Sequence, residues 1–161
     1  MASNSSGGDG GPTDLSAFFA DLVRCETRLY NALNDRLRER HGIVTSQYEF
    51  LRYLRDHPGA RVADLAAEFA IGIGATSKGV DRLERQGWVV RRPNPLDRRS
   101  SLLALTDDGL LLVEAAETTF TERLTELITG ALKTSPVTAA AQVLSELRAS
   151  LERDQTGMPT G

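Results

Sequence analysis

From Asp14 to about Arg40, the residues Leu15, Phe18, Phe19, Leu22, Val23, Leu29, Tyr30, Leu33 and Leu37 recur mostly three, four or seven positions apart, the spacing of one face of a long amphipathic helix. His41-Gly42 ends it. Ser46-Gln47-Tyr48-Glu49 reads as a capping box, in which a hydroxyl and a carboxylate satisfy backbone donors at the start of a second helix carrying Tyr48, Phe50, Leu51 and Leu54. This helix stops near His57-Pro58-Gly59, because proline disfavours a helical residue before it and glycine relaxes the turn. A short third helix is expected from about Arg61 to Phe69, with Val62, Leu65, Ala66 and Phe69 on one face. After a turn at Ile71-Gly72-Ile73-Gly74, a fourth helix runs from Ala75 to Gln86. Its Val80 and Leu83 face inward, leaving Thr76, Ser77, Lys78, Asp81, Arg82 and Arg85 to face outward. Two short helices around a glycine-containing turn make a helix-turn-helix unit.

Beyond Gly87 the period changes from helix to strand. Trp88 to Arg92 and Ser100 to Leu105 read as strands joined by the turn Pro93-Asn94-Pro95-Leu96-Asp97-Arg98-Arg99, a hairpin with a basic tip. Thr106-Asp107-Asp108 supplies a cap and first-turn acids for a fifth helix to about Gly130, with Leu110, Val113, Phe120, Leu124, Leu127 and Ile128 as its apolar set. Ser135-Pro136 caps a sixth, striped with Val137, Ala140, Ala141, Leu144, Leu147 and Leu151. The expected fold is mainly α with a small β-hairpin wing: a winged helix-turn-helix with six helices, the terminal ones forming a dimerisation region. Residues 1–13 read as a disordered tail, 14–154 as one domain and 155–161 as a flexible tail. Within the domain the winged unit occupies about 45–105, and the dimerisation helices about 14–40 and 106–152. Those helices present more apolar surface than one small winged unit covers, which implies a homodimer carrying two reading helices.

Charge adds a direction to this layout. The chain has 19 Lys plus Arg against 22 Asp plus Glu, a net charge of -3. Between Ile71 and Ser101, however, Lys78, Arg82, Arg85, Arg91, Arg92, Arg98 and Arg99 stand against only Asp81, Glu84 and Asp97, a local excess of seven minus three, or +4. Phosphate contacts need local rather than global positive charge, so this segment fits double-stranded DNA; a solvated charged face is the plainer alternative. Cys25 is the single cysteine, which excludes an intramolecular disulfide and fits a reducing cytoplasm. Met1 to Pro12 has neither the basic region nor the apolar run of a secretory signal, and no apolar run reaches the roughly 18 residues of a membrane span.

Several strings then fall together: Leu65-Ala66, Asp81-Arg82-Leu83-Glu84-Arg85-Gln86-Gly87, Arg91 or Arg92, Asp97-Arg98-Arg99, and Leu105-Thr106-Asp107-Asp108-Gly109. Their combination resembles the MarR family of bacterial transcription regulators over roughly Asp14 to Leu151, most specifically from Asp81 to Gly109. The resemblance implies a triangular dimer whose terminal helices dimerise and whose winged units read DNA, often under the control of a small ligand or oxidant. Repression of a palindromic operator is the default it implies.

The fourth helix is expected in the major groove, with Thr76, Ser77 and Lys78 near its start and Arg82 one turn later making base or phosphate contacts. Helix capping is the alternative for Thr76 and Ser77, and Gly79 marks a close approach either to DNA or to the preceding helix. In the wing, Asp97-Arg98-Arg99 resembles the family's Asp-x-Arg element, in which the acid orients an arginine into the minor groove. Arg99 is the expected reader, Arg98 a second reader or a phosphate ligand, and Arg91 and Arg92 phosphate anchors.

Control is less legible. The resemblance places a ligand pocket between the first, second and fifth helices, for which Tyr30, His41, Tyr48, Arg52 and His57 are candidates, each equally readable as a helix-terminal or half-buried core residue. His41 and His57 also titrate near neutral pH. Cys25 lies on the first helix, where the peroxide-sensing branch of the family keeps its reactive cysteine. It falls later along the helix than that cysteine and lacks the surrounding tyrosines, so a plain buried thiol is the preferred reading and a redox sensor the alternative. Two histidines and one cysteine, with no motif around them, give no catalytic constellation, and no metal or cofactor is called for. A winged scaffold that binds protein rather than DNA is the remaining alternative.

Overall fold

The computed structural model describes residues 13–160 and places six helices and one two-stranded sheet among them: α1 (Leu15–His41), α2 (Thr45–Asp56), α3 (Val62–Glu68), α4 (Ile73–Arg85), β1 (Val89–Pro93), β2 (Ser101–Leu105), α5 (Asp107–Thr129) and α6 (Thr134–Arg153). The disordered-tail assignment falls on residues 1–12, outside the described residues, save for Thr13.

Several helix ends are set by local devices. Asp14 caps α1, its carboxylate accepting from the backbone N–H of Ser16 and Ala17 at 3.0 and 3.1 Å. Gly42 closes that helix in the left-handed region, at φ 67°, where a side chain would be strained. The second helix is capped at Val44, two residues before the expected cap at Ser46. It begins at Thr45, and the side chain accepting from the Val44 N–H is Gln47, at 3.0 Å, while Asn34 of α1 accepts from the Thr45 N–H at 2.8 Å. Ser46 and Glu49 are therefore not the box; a long-range amide took over the cap. The sixth helix begins just before the expected Ser135-Pro136, which sit inside its first turn, where proline loses no intrahelical hydrogen bond.

The core forms where α2, α3, α4 and the hairpin close over the C-terminal half of α1 and the start of α5. It contains Leu37, Ile43, Tyr48, Leu51, Leu54, Leu65, Val80, Leu83, Val89, Leu103 and Val113, all at most 2% exposed. Strands β1 and β2 pair antiparallel from Val89 opposite Leu105 to Pro93 opposite Ser101. The Ala60 carbonyl accepts from the Leu103 N–H at 2.8 Å, tying the hairpin to the connection before α3.

At the corner between Gly87 and Gly109 the wing meets α5, and the two backbone segments approach closely. Thr106 caps α5 by accepting from the Gly109 N–H at 3.0 Å, donates its hydroxyl to the Gly87 carbonyl at 2.6 Å, and gives its own N–H to the Trp88 carbonyl at 3.0 Å. Gly109 lies so close that an added Cβ would sit 2.1 Å from the Trp88 oxygen. The Leu-Thr-x-x-Gly string is thus the joint that fixes the wing against the long helix.

The outer helices are left uncovered. No residue of α6 is buried, and Leu144, Leu147 and Leu151 are each 42% exposed, with Phe18, Phe19 and Val23 of α1 also exposed.

Candidate nucleic-acid interface

Helix α4 packs into the core through Val80 and Leu83 and, on the same stripe, Thr76. Thr76 is fully buried and its hydroxyl donates to the Gly72 carbonyl at 2.9 Å. This corrects the expectation that it faces outward to read bases: with spacings of four and three it shares the phase of Val80 and Leu83, and its polar atom is spent on the helix's own first turn. Ser77 is half-buried, while Lys78, Asp81, Arg82 and Arg85 face solvent. Gly79 resolves in favour of packing, though not on the preceding helix: an added Cβ would stand 3.0 Å from the Phe50 ring of α2.

The two arginines of β1 separate by strand alternation, which sends neighbours to opposite faces. Arg91 turns toward α4, pairing with the carboxylates of Asp81 and Glu84, the latter at 3.2 Å. It braces the wing against α4, so it is not the uncommitted cation expected from the sequence. Arg92 turns outward and is exposed. At the wing tip Asp97 accepts from the Arg99 N–H at 2.9 Å and from the Ser100 hydroxyl at 3.3 Å. Asp97 thus shapes the turn through the backbone, leaving the Arg99 guanidinium uncommitted. Asn94 adds to the same turn, its carbonyl oxygen accepting from the Leu96 N–H at 3.0 Å and its amide donating to Ser100 at the same distance. Among the described residues Lys78, Arg82, Arg92, Arg98 and Arg99 have no acidic partner within ion-pairing distance. The outcome is a convex, exposed helix flanked by a short loop with two free guanidiniums at its tip.

A cavity of about 740 Å³ opens on the inner side, between α1, α2, the α3–α4 turn, α5 and α6. Of the five expected ligand-binding residues only Tyr30 lines it. His41 instead bonds through Nε2 to the Thr119 hydroxyl at 2.7 Å; burial, with the charge of Arg40 nearby, holds its pKa below the ordinary histidine value. Tyr48 is buried against Phe120 with ring centroids 4.6 Å apart, and burial raises its pKa. Arg52 lies 3.8 Å from Glu49, and His57 stacks on Tyr53 at 4.1 Å while bonding to its carbonyl. His41 and His57 thus sit at helix ends, Tyr48 in the core and Arg52 on the exposed face of α2, all outside the cavity lining. Cys25 does line the cavity and is exposed in the single chain, not the buried thiol expected. Glu26, Thr45 and Glu49, none of them marked by the sequence as ligand-site residues, also line it. Their convergence is tertiary, and no local pattern announces it.

Among the described residues no helix is long and apolar enough to cross a membrane, and no group of His, Cys, Asp or Glu is arranged to hold a metal.

Comparisons with known proteins agree with this architecture. The profile of the MarR family matches residues 41–100. The multiple antibiotic resistance protein MarR of Salmonella typhimurium is 30% identical over 105 residues, 62% of this chain and 73% of that protein. The organic hydroperoxide resistance transcriptional regulator of Bacillus subtilis is 33% identical over 90 residues, 56% of this chain and 58% of that one. In fold, a MarR family transcriptional regulator from Streptomyces coelicolor, in complex with DNA, matches with a TM-score of 0.81 at 20% identity, over 96% of this chain and 98% of that chain. A cysteine-to-serine mutant of MarR from E. coli, complexed with operator DNA, matches with a TM-score of 0.72 at 26% identity, over 84% of this chain and 99% of that chain. With the helix-turn-helix, the braced wing and the Thr106–Gly109 joint all in place, and a relative of this similarity matched over most of its length, the chain belongs to the MarR family.

Proposed function

We propose that this protein is a sequence-specific DNA-binding transcriptional regulator, a repressor that acts as a homodimer on a palindromic operator in the cytoplasm and releases it when a small molecule binds. It works by binding rather than by catalysis. The observation that carries the reading is the set of unpaired cations on one surface: Lys78 and Arg82 on the exposed face of α4, and Arg98 and Arg99 at the tip of a wing that Arg91 holds against that helix.

In this reading α4 enters the major groove, where Ser77, Lys78 and Arg82 meet base edges and phosphates, and Arg99 enters the adjacent minor groove, where a narrow A·T-rich track concentrates negative potential. Arg92 and Arg98 contact phosphates. The uncovered apolar faces of α1 and α6 are buried against a second copy, which puts the two reading helices about one DNA turn apart.

The test is to replace Arg99 and Lys78 by alanine, singly and together, and to measure affinity for a selected operator beside the oligomeric state. A DNA reader loses roughly 1–3 kcal/mol per base-edge contact while remaining a dimer. If the double variant bound as tightly as the parent, the surface would belong to a protein-binding scaffold instead.

A further inference from the structure

The winged unit covers its large apolar side chains with two exceptions. From residue 45 to residue 105 the large hydrophobics left facing solvent are Ile73, 62% exposed, and Leu96, 94% exposed. Ile73 opens α4 and Leu96 stands at the wing tip, so both fall on the elements that carry the unpaired cations. The position of Ile73 explains why it is not packed. It lies three, seven and ten residues before Thr76, Val80 and Leu83, on the stripe that α4 buries, but a turn ahead of the first of them, where the core has ended.

Its surroundings are bare. Gly72 and Gly74 flank it; an added Cβ at either would meet nothing within 4 Å, and neither has left-handed backbone. Neither packing nor conformation within the folded chain therefore calls for glycine at these positions. Gly74, inside the first turn, lowers helix stability relative to alanine, and Gly72 leaves α4 without a side-chain cap. The stretch Gly72-Ile73-Gly74-Ala75 holds no side chain able to donate or accept a hydrogen bond. Yet this is the end of the second helix that meets base edges in helix-turn-helix units. Whatever a side chain reads there, it reads by apolar contact.

We infer that Ile73 is a specificity-determining residue that packs on the C5-methyl group of a thymine in the major groove, with Gly74 letting α4 sit low enough for the contact. The thymine methyl is the apolar group that base pairs show on that edge. Isoleucine has neither donor nor acceptor, so it gains from the methyl. Against the amino or carbonyl groups of the other bases it would displace water without replacing the lost hydrogen bonds. The inference rests on the reading of the chain as a sequence-specific DNA-binding regulator and deepens it, since it names one base that the surface prefers and the group by which it is recognised.

The test uses the full chain and a duplex enriched from a random pool. Each thymine of one half-site, together with its mirror in the other, is replaced in turn by deoxyuridine, which removes the methyl and keeps the hydrogen-bonding pattern. One such replacement should weaken binding by the parent about fourfold per half-site, the worth of a single buried methyl. Ile73→Ala should bind that thymine duplex and its uracil counterpart alike. Gly74→Ala, with a urea midpoint no lower than the parent's, should bind the operator about tenfold more weakly, because its added methyl holds α4 off the bases. A parent indifferent to every uracil replacement, an Ile73→Ala protein that keeps the full thymine preference, or a Gly74→Ala protein that binds as tightly as the parent would overturn the inference and leave the DNA-binding reading standing. Failure to enrich any duplex would overturn both.

Discussion

Replacing Gly109 by alanine tests the joint between wing and α5, and its sign runs against ordinary helix chemistry. Within a helix Gly→Ala normally stabilises by roughly 0.5–1 kcal/mol, because glycine loses more conformational freedom on folding. Here the new Cβ would sit 2.1 Å from the Trp88 carbonyl oxygen, 2.9 Å from its carbon and 3.1 Å from its Cα, all backbone atoms that cannot swing aside. Ordinary contact requires about 1 Å more, so the first turn of α5 must lift from the corner. That movement strains the bonds from Thr106 to the Gly87 and Trp88 carbonyls, at 2.6 and 3.0 Å. Overpacking costs roughly 1–3 kcal/mol and each weakened hydrogen bond about 0.5–1.5 kcal/mol. After the helical gain is subtracted, a net loss of about 1–5 kcal/mol is expected. Gly74→Ala is the matched control: nothing lies within 4 Å of its added Cβ, and it should be neutral or slightly stabilising. The assay is urea denaturation of both variants and the parent at one protein concentration, since dimer stability depends on concentration. A Gly109→Ala protein as stable as the parent would refute the close approach and the account of the Leu-Thr-x-x-Gly string built on it.

Three further outcomes follow from the same geometry. Thr76→Val keeps the shape of a buried residue and removes the hydroxyl bonded to Gly72, so an unfolding free energy lowered by about 1 kcal/mol in urea denaturation, with unchanged operator preference, is expected; altered base preference would restore Thr76 as a reader. Arg91→Ala releases the wing from Asp81 and Glu84, and because these are surface pairs the stability change should stay within about 1 kcal/mol; operator affinity should still fall, as the wing loses its bearing on α4. Arg55 donates two hydrogen bonds to Glu117, at 2.6 and 3.0 Å, which hold the Glu117 carboxyl below its ordinary pKa. Its contribution is therefore present above the unfolded-state carboxylate value and is lost as pH falls through the lowered folded value, so Glu117→Gln should destabilise at neutral pH and approach the parent in acid when urea midpoints are compared.

Much of this molecule was legible along the chain because its punctuation is chemical. Asp14, Gly42 and, in its bond from the Gly109 N–H, Thr106 act within a few residues of where they stand, and those helix ends follow from them. The start of α2 was misplaced because its cap comes in part from Asn34, eleven positions upstream, a relation that spacing does not carry. Thr76 carried a readable signal, its phase with Val80 and Leu83, which its polar side chain concealed. Arg91 carried none, since the carboxylates that claim it lie on another element across the Gly87 turn. The cavity was hardest of all to read. Its location between the first, second and fifth helices followed from family resemblance, but its lining is set by the angles at which α1, α5 and α6 meet the winged unit, and those angles are tertiary.

The central claim is that the basic helix and wing read a DNA sequence in two copies, and selecting bound duplexes from a random pool, then titrating the winner over a range of salt, tests it most directly. With on the order of four cations per protomer engaging phosphate, a dimer should show log affinity falling against log salt with a slope of about -7. The expected result is an enriched palindrome with half-sites about one turn apart and a slope of that size. Failure to enrich any sequence at any salt concentration would contradict it.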